Sequence, residues 1–302
     1  MLTTLVSLIA AQNLINGDIT SPSSTVLANV PQPTEVFAYA EKTGNSFSPI
    51  IGAKAAISID LDSNRLLFEQ NSNTEMPMAS LTKMMTILLT LENHSLDDIV
   101  TVDARATKVE PGKINLRADE EITVRELIKA ALIKSANDAA LALALYDVDN
   151  GNKGDVQLFV DKMNARAQEL GMNNTRFENP IGFDSEDPEN QPHYSTASDL
   201  TILARALYKY PFIQDIATIK STTVNSLEGD THQVDTTNEL LNSYLNVLGL
   251  KTGTTDLAGE CLISIVKTPT GNKILNVILN SPSRYKESKI LSQWVINNFT
   301  WI

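Results

Sequence analysis

The sequence predicts a mixed α/β fold of the α+β kind, with a five-stranded antiparallel sheet completed by both ends of the chain and an α-helical region inserted. Two strand-like runs stand early, at residues 55–60 and 65–69, and three stand late, at 247–252, 261–266 and 274–279. Helical patterns fill the middle. The polar connections 61–64 and 267–273 are of hairpin length, which makes the strands they join antiparallel neighbours.

The elements follow in order. Residues 5–11 form an apolar run ending in small residues, as a signal peptide does. No Lys or Arg precedes Lys42, however, and the run is far shorter than the ~20 residues that cross a bilayer. It reads as a degenerate or truncated signal, with a frayed terminus as the alternative. Residues 13–49 are rich in Ser, Thr, Asn and Pro and poor in charge, the composition of a flexible stalk. The expected division is therefore 1–52 for signal remnant and stalk, and 53–302 for one folded domain. After the first hairpin, Pro77 precedes a helical run over 80–92. Thr123-Val124-Arg125-Glu126 is a capping box opening a helix to 132, and a second Ala/Leu helix follows Asn137. Residues 155–170 are amphipathic and close at Gly171, and Thr196 caps a helix through Leu200, Leu203 and Leu207. The last helix spans 286–298.

The 302 residues carry 24 Lys+Arg against 36 Asp+Glu, a net charge of −12, which argues against a nucleic-acid partner. Hydrophobic residues at 42% suffice for a substantial core. The single cysteine, Cys261, lies in an apolar run and reads as a buried, inert thiol. It excludes an internal disulfide and a Cys-rich zinc site. His94, His193 and His232 are far apart and no H-E-x-x-H occurs, so metalloprotease chemistry is not expected.

Three short motifs carry candidate chemistry. Ser80-Leu81-Thr82-Lys83 sets a hydroxyl and an amine one helical turn apart. A serine needs a base within hydrogen-bond reach to act as a nucleophile, and a lysine serves once burial or a neighbouring cation lowers its pKa. Alone, the pattern equally suits a helix cap beside a solvated lysine, and Ser264-Ile265-Val266-Lys267 and Ser283-Arg284-Tyr285-Lys286 also match it. Ser135-Ala136-Asn137 falls between two apolar helices, where a capping turn is the plainer reading. Lys251-Thr252-Gly253 ends a strand and suits a clamp for a carboxylate, or simply an exposed strand end. The same tripeptide at Lys42-Thr43-Gly44 lies in the expected stalk and is discarded. S-x-x-K, S-x-N and K-T-G in this order, on helix, inter-helix turn and strand, form a combination that none of them makes singly.

On these residues the chain resembles the serine-type D-alanyl-D-alanine carboxypeptidases, the low-molecular-mass penicillin-binding proteins of the β-lactamase/DD-peptidase superfamily. The likeness extends to Met76-Pro77-Met78-Ala79, Leu170-Gly171-Met172, Asn179-Pro180-Ile181-Gly182-Phe183, Tyr194-Ser195-Thr196-Ala197-Ser198-Asp199-Leu200 and Gly259. The resemblance implies a sheet flanked by helices, with the site in a cleft between sheet and helical subdomain. It implies Ser80 as the acyl-forming nucleophile, Lys83 as its base and Ser135 as a proton relay to the leaving amine. It also implies that Asn137 holds a substrate amide, while Lys251, Thr252 and Thr254 bind the terminal carboxylate on a strand that Gly253 keeps open. The backbone N–H groups of Ser80 and Thr254 would form the oxyanion hole.

The implied partners are peptidoglycan stem peptides, with β-lactam antibiotics as inhibitors, no nucleic acid, and weak membrane or wall tethering through the N-terminal segment. No metal, nucleotide or flavin is implied, and the implied location is extracytoplasmic. Departures from the family are the missing basic start, Ile181 where His is often seen, and a chain that stops before any C-terminal β domain. Trp294, Phe299 and Trp301 read as packing on the sheet rather than as membrane-seeking. Competing expectations are a β-lactamase, faintly suggested by Glu186-Asp187-Pro188-Glu189-Asn190, a transpeptidase or endopeptidase on cross-linked peptides, and a catalytically silent wall-binding module.

Overall fold

The two early and three late strands meet in one sheet. In the computed structural model, residues 39–147, 155–184 and 193–302 are described. The apolar run 5–11, the stalk as far as residue 38 and Glu186–Asn190 lie outside them.

The chain opens with β1 (Ala40–Lys42), β2 (Ala55–Asp60) and β3 (Leu66–Gln70), then turns through a short 3-10 segment, Ala79–Thr82, into α1 (Lys83–Asn93). A small ladder of β4 (Ile99–Thr101) and β5 (Glu121–Thr123) leads into α2 (Val124–Lys129), which runs on through a wider π turn, Ala130–Lys134. The helical region is completed by α3 (Asn137–Asp147), α4 (Val156–Leu170), α5 (Ala197–Tyr208) and α6 (Pro211–Ile216). A hairpin of β6 (Ser221–Asn225) and β7 (Thr231–Asp235) precedes the late strands β8 (Asn246–Thr255), β9 (Gly259–Lys267) and β10 (Lys273–Ser281). The chain ends in α7 (Arg284–Asn298) and β11 (Phe299–Trp301).

The main sheet has the order β3-β2-β10-β9-β8 and every pairing in it is antiparallel. Strand alternation sorts its side chains cleanly. Ile57 and Ile59, Cys261, Ile263 and Ile265, and Leu275, Val277 and Leu279 join the large core shared with the helical region. Ala56, Leu262, Val266, Ile274 and Ile278 turn to the other side, into the smaller clusters under α7. Each large aliphatic side chain so buried contributes roughly 1.5–3 kcal/mol by leaving water. Within the helical region α1 is buried from Lys83 through Thr90. Packing against α3, α4 and α5 buries it, and its polar stripe of Lys83, Thr86 and Thr90 is hydrogen-bonded to backbone carbonyls.

The capping signals read from the sequence hold. Thr123 accepts from the Glu126 N–H, Thr196 accepts from the Asp199 N–H, and Gly171 closes α4 in the left-handed region. Two expectations change. Ser80 lies in the 3-10 segment before α1 rather than in the helix, because Ala79 adopts φ +50° and the first turn is tightened. Residues 39–52, expected as stalk, pack on the body: β1 pairs with β11, Lys42 stacks over Trp294 at 5.4 Å, and Ile51 is buried with Phe68 and Leu291. Trp294 and Phe299 make an edge contact at 5.8 Å and Trp301 donates to Asp60, so the terminal aromatics do pack.

Candidate active site

Ser80 is presented by a strained, braced turn. Met78, Leu81, Met84 and Met85 are buried on either side of it and anchor it to the core. Ala79 is held left-handed, a conformation that costs a non-glycine residue about 1–3 kcal/mol and persists only where neighbours enforce it. Two neighbours do so. Thr82 donates to the Ala79 carbonyl at 2.7 Å, and Gly182, at φ +85°, fits against the same carbonyl where a Cβ would lie only 2.1 Å away.

Lys83 follows one turn later. Its Nζ lies 2.8 Å from Ser80 Oγ and donates to the Ile181 carbonyl at 2.6 Å. The side chain is fully buried, and that burial, reinforced by the Lys251 cation, holds its pKa well below the ordinary lysine value. Ile181 contributes through its backbone carbonyl, with no demand on its side chain. Asn179 shapes the loop by accepting from the N–H groups of Ile181, Gly182 and Phe183.

Opposite stands the second hydroxyl–lysine pair. Ser135 sits at φ +62° after the π turn, and Lys251 on β8 donates to its Oγ at 2.7 Å and to the Thr252 carbonyl at 2.9 Å. Lys251 is 1% exposed, and burial together with the Arg284 cation lowers its pKa to about 7. Asn137 opens α3. Its Nδ2 donates to the Pro111 carbonyl at 2.6 Å, whereas its Oδ1 is buried without a protein partner and is left as a ready acceptor. The neighbouring Asp138, wholly buried, accepts from the N–H groups of Ile114 and Leu116 and so holds the loop that carries Pro111.

β8 continues three residues beyond the expected strand, and Gly253 and Thr254 therefore lie on it. A Cβ at Gly253 would stand 3.0 Å from both the Ser80 nitrogen and the Met78 carbonyl. Glycine is what lets this strand touch the serine turn. Ser80, Lys83, Ser135, Lys251 and Gly253 thus converge. Asn137 joins them from the helical side and Thr254 from the exposed end of the strand. The discarded tripeptide at Lys42 lies on β1 against Trp294, and Ser264, from the first of the other S-x-x-K matches, bonds to Ser288 under α7.

Three contributors have no motif to announce them. Arg284, at the start of α7, donates to the Gly253 carbonyl and to the Thr254 hydroxyl, stacks on Tyr285, and keeps a buried Nε without a partner. Thr237 ties the parts together: its N–H donates to Ile133, its hydroxyl meets Thr252 at 2.6 Å, and its carbonyl accepts from Tyr285. His193 accepts from the Glu178 N–H on Nδ1, which leaves Nε2–H to donate to Thr82 behind the serine. Burial and the nearby Lys83 lower its pKa to about 4, so it stays neutral and holds this tautomer. An arginine beside a Pro-Ser turn and a histidine before Tyr-Ser-Thr carry no spacing signal; only the fold brings them to the site.

The geometry meets the requirements of acyl transfer: a hydroxyl beside a buried amine of lowered pKa, a second hydroxyl–lysine pair opposite, and cations at the strand end where a carboxylate can lie. Comparison with known proteins agrees. Residues 42–283 match the family described as Peptidase S11, D-alanyl-D-alanine carboxypeptidase. The chain is 36% identical over 239 residues to a D-alanyl-D-alanine carboxypeptidase of Bacillus subtilis, covering 76% of this chain but only 58% of that protein's length. It is 29% identical over 282 residues to a D-alanyl-D-alanine endopeptidase of Escherichia coli, covering 90% of this chain and 86% of the other. Among solved structures, penicillin-binding protein D2 of Listeria monocytogenes, in its ampicillin-bound form, superposes with a TM-score of 0.68 at 29% identity, covering 82% of this chain and 98% of that one. With four-fifths of its length matched and residues of the three motifs brought together by hydrogen bonds and close contact, the chain belongs to the Peptidase S11 family of D-alanyl-D-alanine carboxypeptidases.

Proposed function

We propose that the protein is a serine D-Ala-D-Ala carboxypeptidase that removes the terminal D-alanine from peptidoglycan stem pentapeptides through a Ser80 acyl-enzyme. The observation that carries this is the fully buried Lys83 amine, 2.8 Å from Ser80 Oγ and depressed in pKa by burial and by Lys251. A neutral amine there gives one N–H to Ile181 and its lone pair to the serine proton. Ser80 Oγ then attacks the carbonyl carbon of the penultimate D-alanine, its proton passing to Lys83. Negative charge develops on the carbonyl oxygen, which the N–H groups of Ser80 and Thr254 receive. Donors of this kind are each worth ~10²–10³ in rate.

As the C–N bond breaks, Ser135, hydrogen-bonded to Lys251, relays a proton to the leaving amine of D-alanine. Water then hydrolyses the ester and returns the proton to Ser80. Asn137 Oδ1 accepts the substrate amide N–H. Lys251, Thr252 and Thr254 hold the terminal carboxylate where Gly253 leaves room, and Arg284 joins them because its guanidinium already bonds to Thr254. A β-lactam is attacked in the same way, but ring opening leaves the amine tethered and the acyl-enzyme persists. We place this activity outside the cytoplasmic membrane, at the wall, with residues before 39 as a tether. Among the described residues no helix is long and apolar enough to cross a membrane.

A second reading is endopeptidase action on cross-linked stem peptides, supported by the match that covers most of the Escherichia coli endopeptidase. The experiment is intact-mass analysis after incubation with benzylpenicillin, followed by assay of D-alanine release from diacetyl-Lys-D-Ala-D-Ala. One penicilloyl adduct on the Ser80 peptide, absent in Ser80→Ala, together with D-alanine release, is the expected result. Cleavage of cross-linked muropeptides without release from the tripeptide would move the endopeptidase reading to the front. Absence of any adduct and of any hydrolysis would overturn both.

A further inference from the structure

The face of the sheet turned away from the large core carries α7, and its outer surface is unlike the rest of the chain. The segment 43–53 runs alongside α7 in the opposite direction. Gly44 and Ser46 bond to Asn298, the Phe47 carbonyl accepts from Trp294 Nε1 at 2.8 Å, and the Gly52 N–H reaches Glu287. These bonds pin the backbone but point two side chains outward, for Phe47 and Ile50 are each 96% exposed. On the other flank of α7, Tyr244 is 72% exposed and lines one open trough with Ile290, Lys286, Lys289 and Trp294.

The charge pattern is equally distinct. Segment 43–53 contains no charged residue, and the single carboxylate of α7, Glu287, is buried inward on Ser281 and Gly52. Outward stand Lys286 and Lys289, and Lys42 over the Trp294 ring adds a third cation. In a chain of net charge −12 this is an apolar and cationic face.

Single exposed apolar residues need no explanation. A Phe and an Ile on a hydrogen-bonded backbone, beside an exposed Tyr and three lysines, form the combination that seats a protein at a lipid interface. We infer that this face docks on a bilayer bearing anionic headgroups, with Phe47 and Ile50 entering the acyl boundary and the three lysines meeting the phosphates. A soluble phosphate polymer would satisfy the lysines but offers nothing to Phe47 and Ile50. A second copy across a two-fold axis would set lysines against lysines. The turn that carries Ser80 packs with the large core, on the side of the sheet away from Phe47, Ile50 and Trp294.

The test is co-sedimentation of the full chain with vesicles of phosphatidylglycerol and phosphatidylcholine, and with phosphatidylcholine alone. Three proteins are compared: the parent chain, Phe47→Ser with Ile50→Ser, and Lys286→Gln with Lys289→Gln. Benzylpenicillin acylation of each confirms that it is folded. The expected result is binding to the anionic vesicles that weakens with salt and falls on the order of tenfold in each double variant. Equal binding by all three would place any attachment elsewhere in the chain and overturn the inference, as would no binding to anionic vesicles. Binding to soluble polyglycerol phosphate that ignores the Phe47/Ile50 change would assign the lysines to a polymer instead. A concentration-dependent dimer lost in that same variant, without vesicle binding, would assign the face to a second copy.

Discussion

Lys251 is asked to be a cation in a place that disfavours cations. Its charge would bind a substrate carboxylate and it depresses Lys83, yet burial and Arg284 bring its own pKa to about 7. The cation is present below about pH 7 and is lost as pH rises through it. Binding of carboxylate-ended substrates should therefore weaken above about pH 7, while Lys83, whose pKa is held down chiefly by its burial, keeps acylation competent. Arg284→Gln removes the repulsion and should move this alkaline limb of kcat/KM to higher pH. It should also raise KM about tenfold below the limb, the scale of one charge-assisted hydrogen bond. A pH–rate profile of both proteins checks this, and an unmoved limb would remove Arg284 from the account. At this scale the sequence is legible where chemistry demands fixed local spacing, as in Ser80 with Lys83 or Ser135 with Asn137. Arg284, Thr237 and His193 are illegible in it, because each reaches the site from an element whose position is set by packing alone.

Between elements, the closest approach is that of β8 to the serine turn. Gly253→Ala would place a methyl 3.0 Å from the Ser80 nitrogen, and neither strand nor turn is free to yield: β8 is paired along its length with β9, and the turn is locked by Thr82 and Gly182. The clash can be relieved only by straining strand and turn apart where the proposed oxyanion donors, the Ser80 and Thr254 N–H groups, must stand together. Acylation by benzylpenicillin should fall by ~10²-fold, the scale of one misplaced oxyanion donor, with thermal unfolding little changed. Stopped-flow acylation and a melting curve separate the two effects, and wild-type acylation would show that the contact is not critical. Elements with strong periodicity or caps are readable in the sequence: β2, β9, β10, α4 and α5 fall within a few residues of expectation. The ladders β1–β11, β4–β5 and β6–β7 are not. The first two are three residues a side, too short for a period to declare itself. In the third only Val224 and Val234 are buried, so polar residues dominate the pattern.

The whole molecule carries −12 while its site gathers Lys83, Lys251 and Arg284. Long-range repulsion of an anionic substrate and short-range attraction therefore oppose each other. Raising ionic strength from about 0.01 M to about 0.15 M screens mainly the former. The second-order rate of acylation by benzylpenicillin should rise, by no more than about threefold. A steep fall with salt would mean that the local cations steer from a distance. The two-ended sheet is legible from strand order alone, whereas the packing of 39–52 is not, since a Ser/Asn/Pro-rich segment is read as free chain unless its partners are known. One such partner gives the molecule a mechanical property. Ala40 lies opposite Trp301, so the outer ends of β1 and β11 leave the body together, and a pull between them loads the ladder one rung at a time. Peeling of this kind breaks the bonds in turn, whereas shearing the five-stranded sheet would load many of them at once. Under tension β1 and β11 would part first, while the five-stranded sheet stays whole.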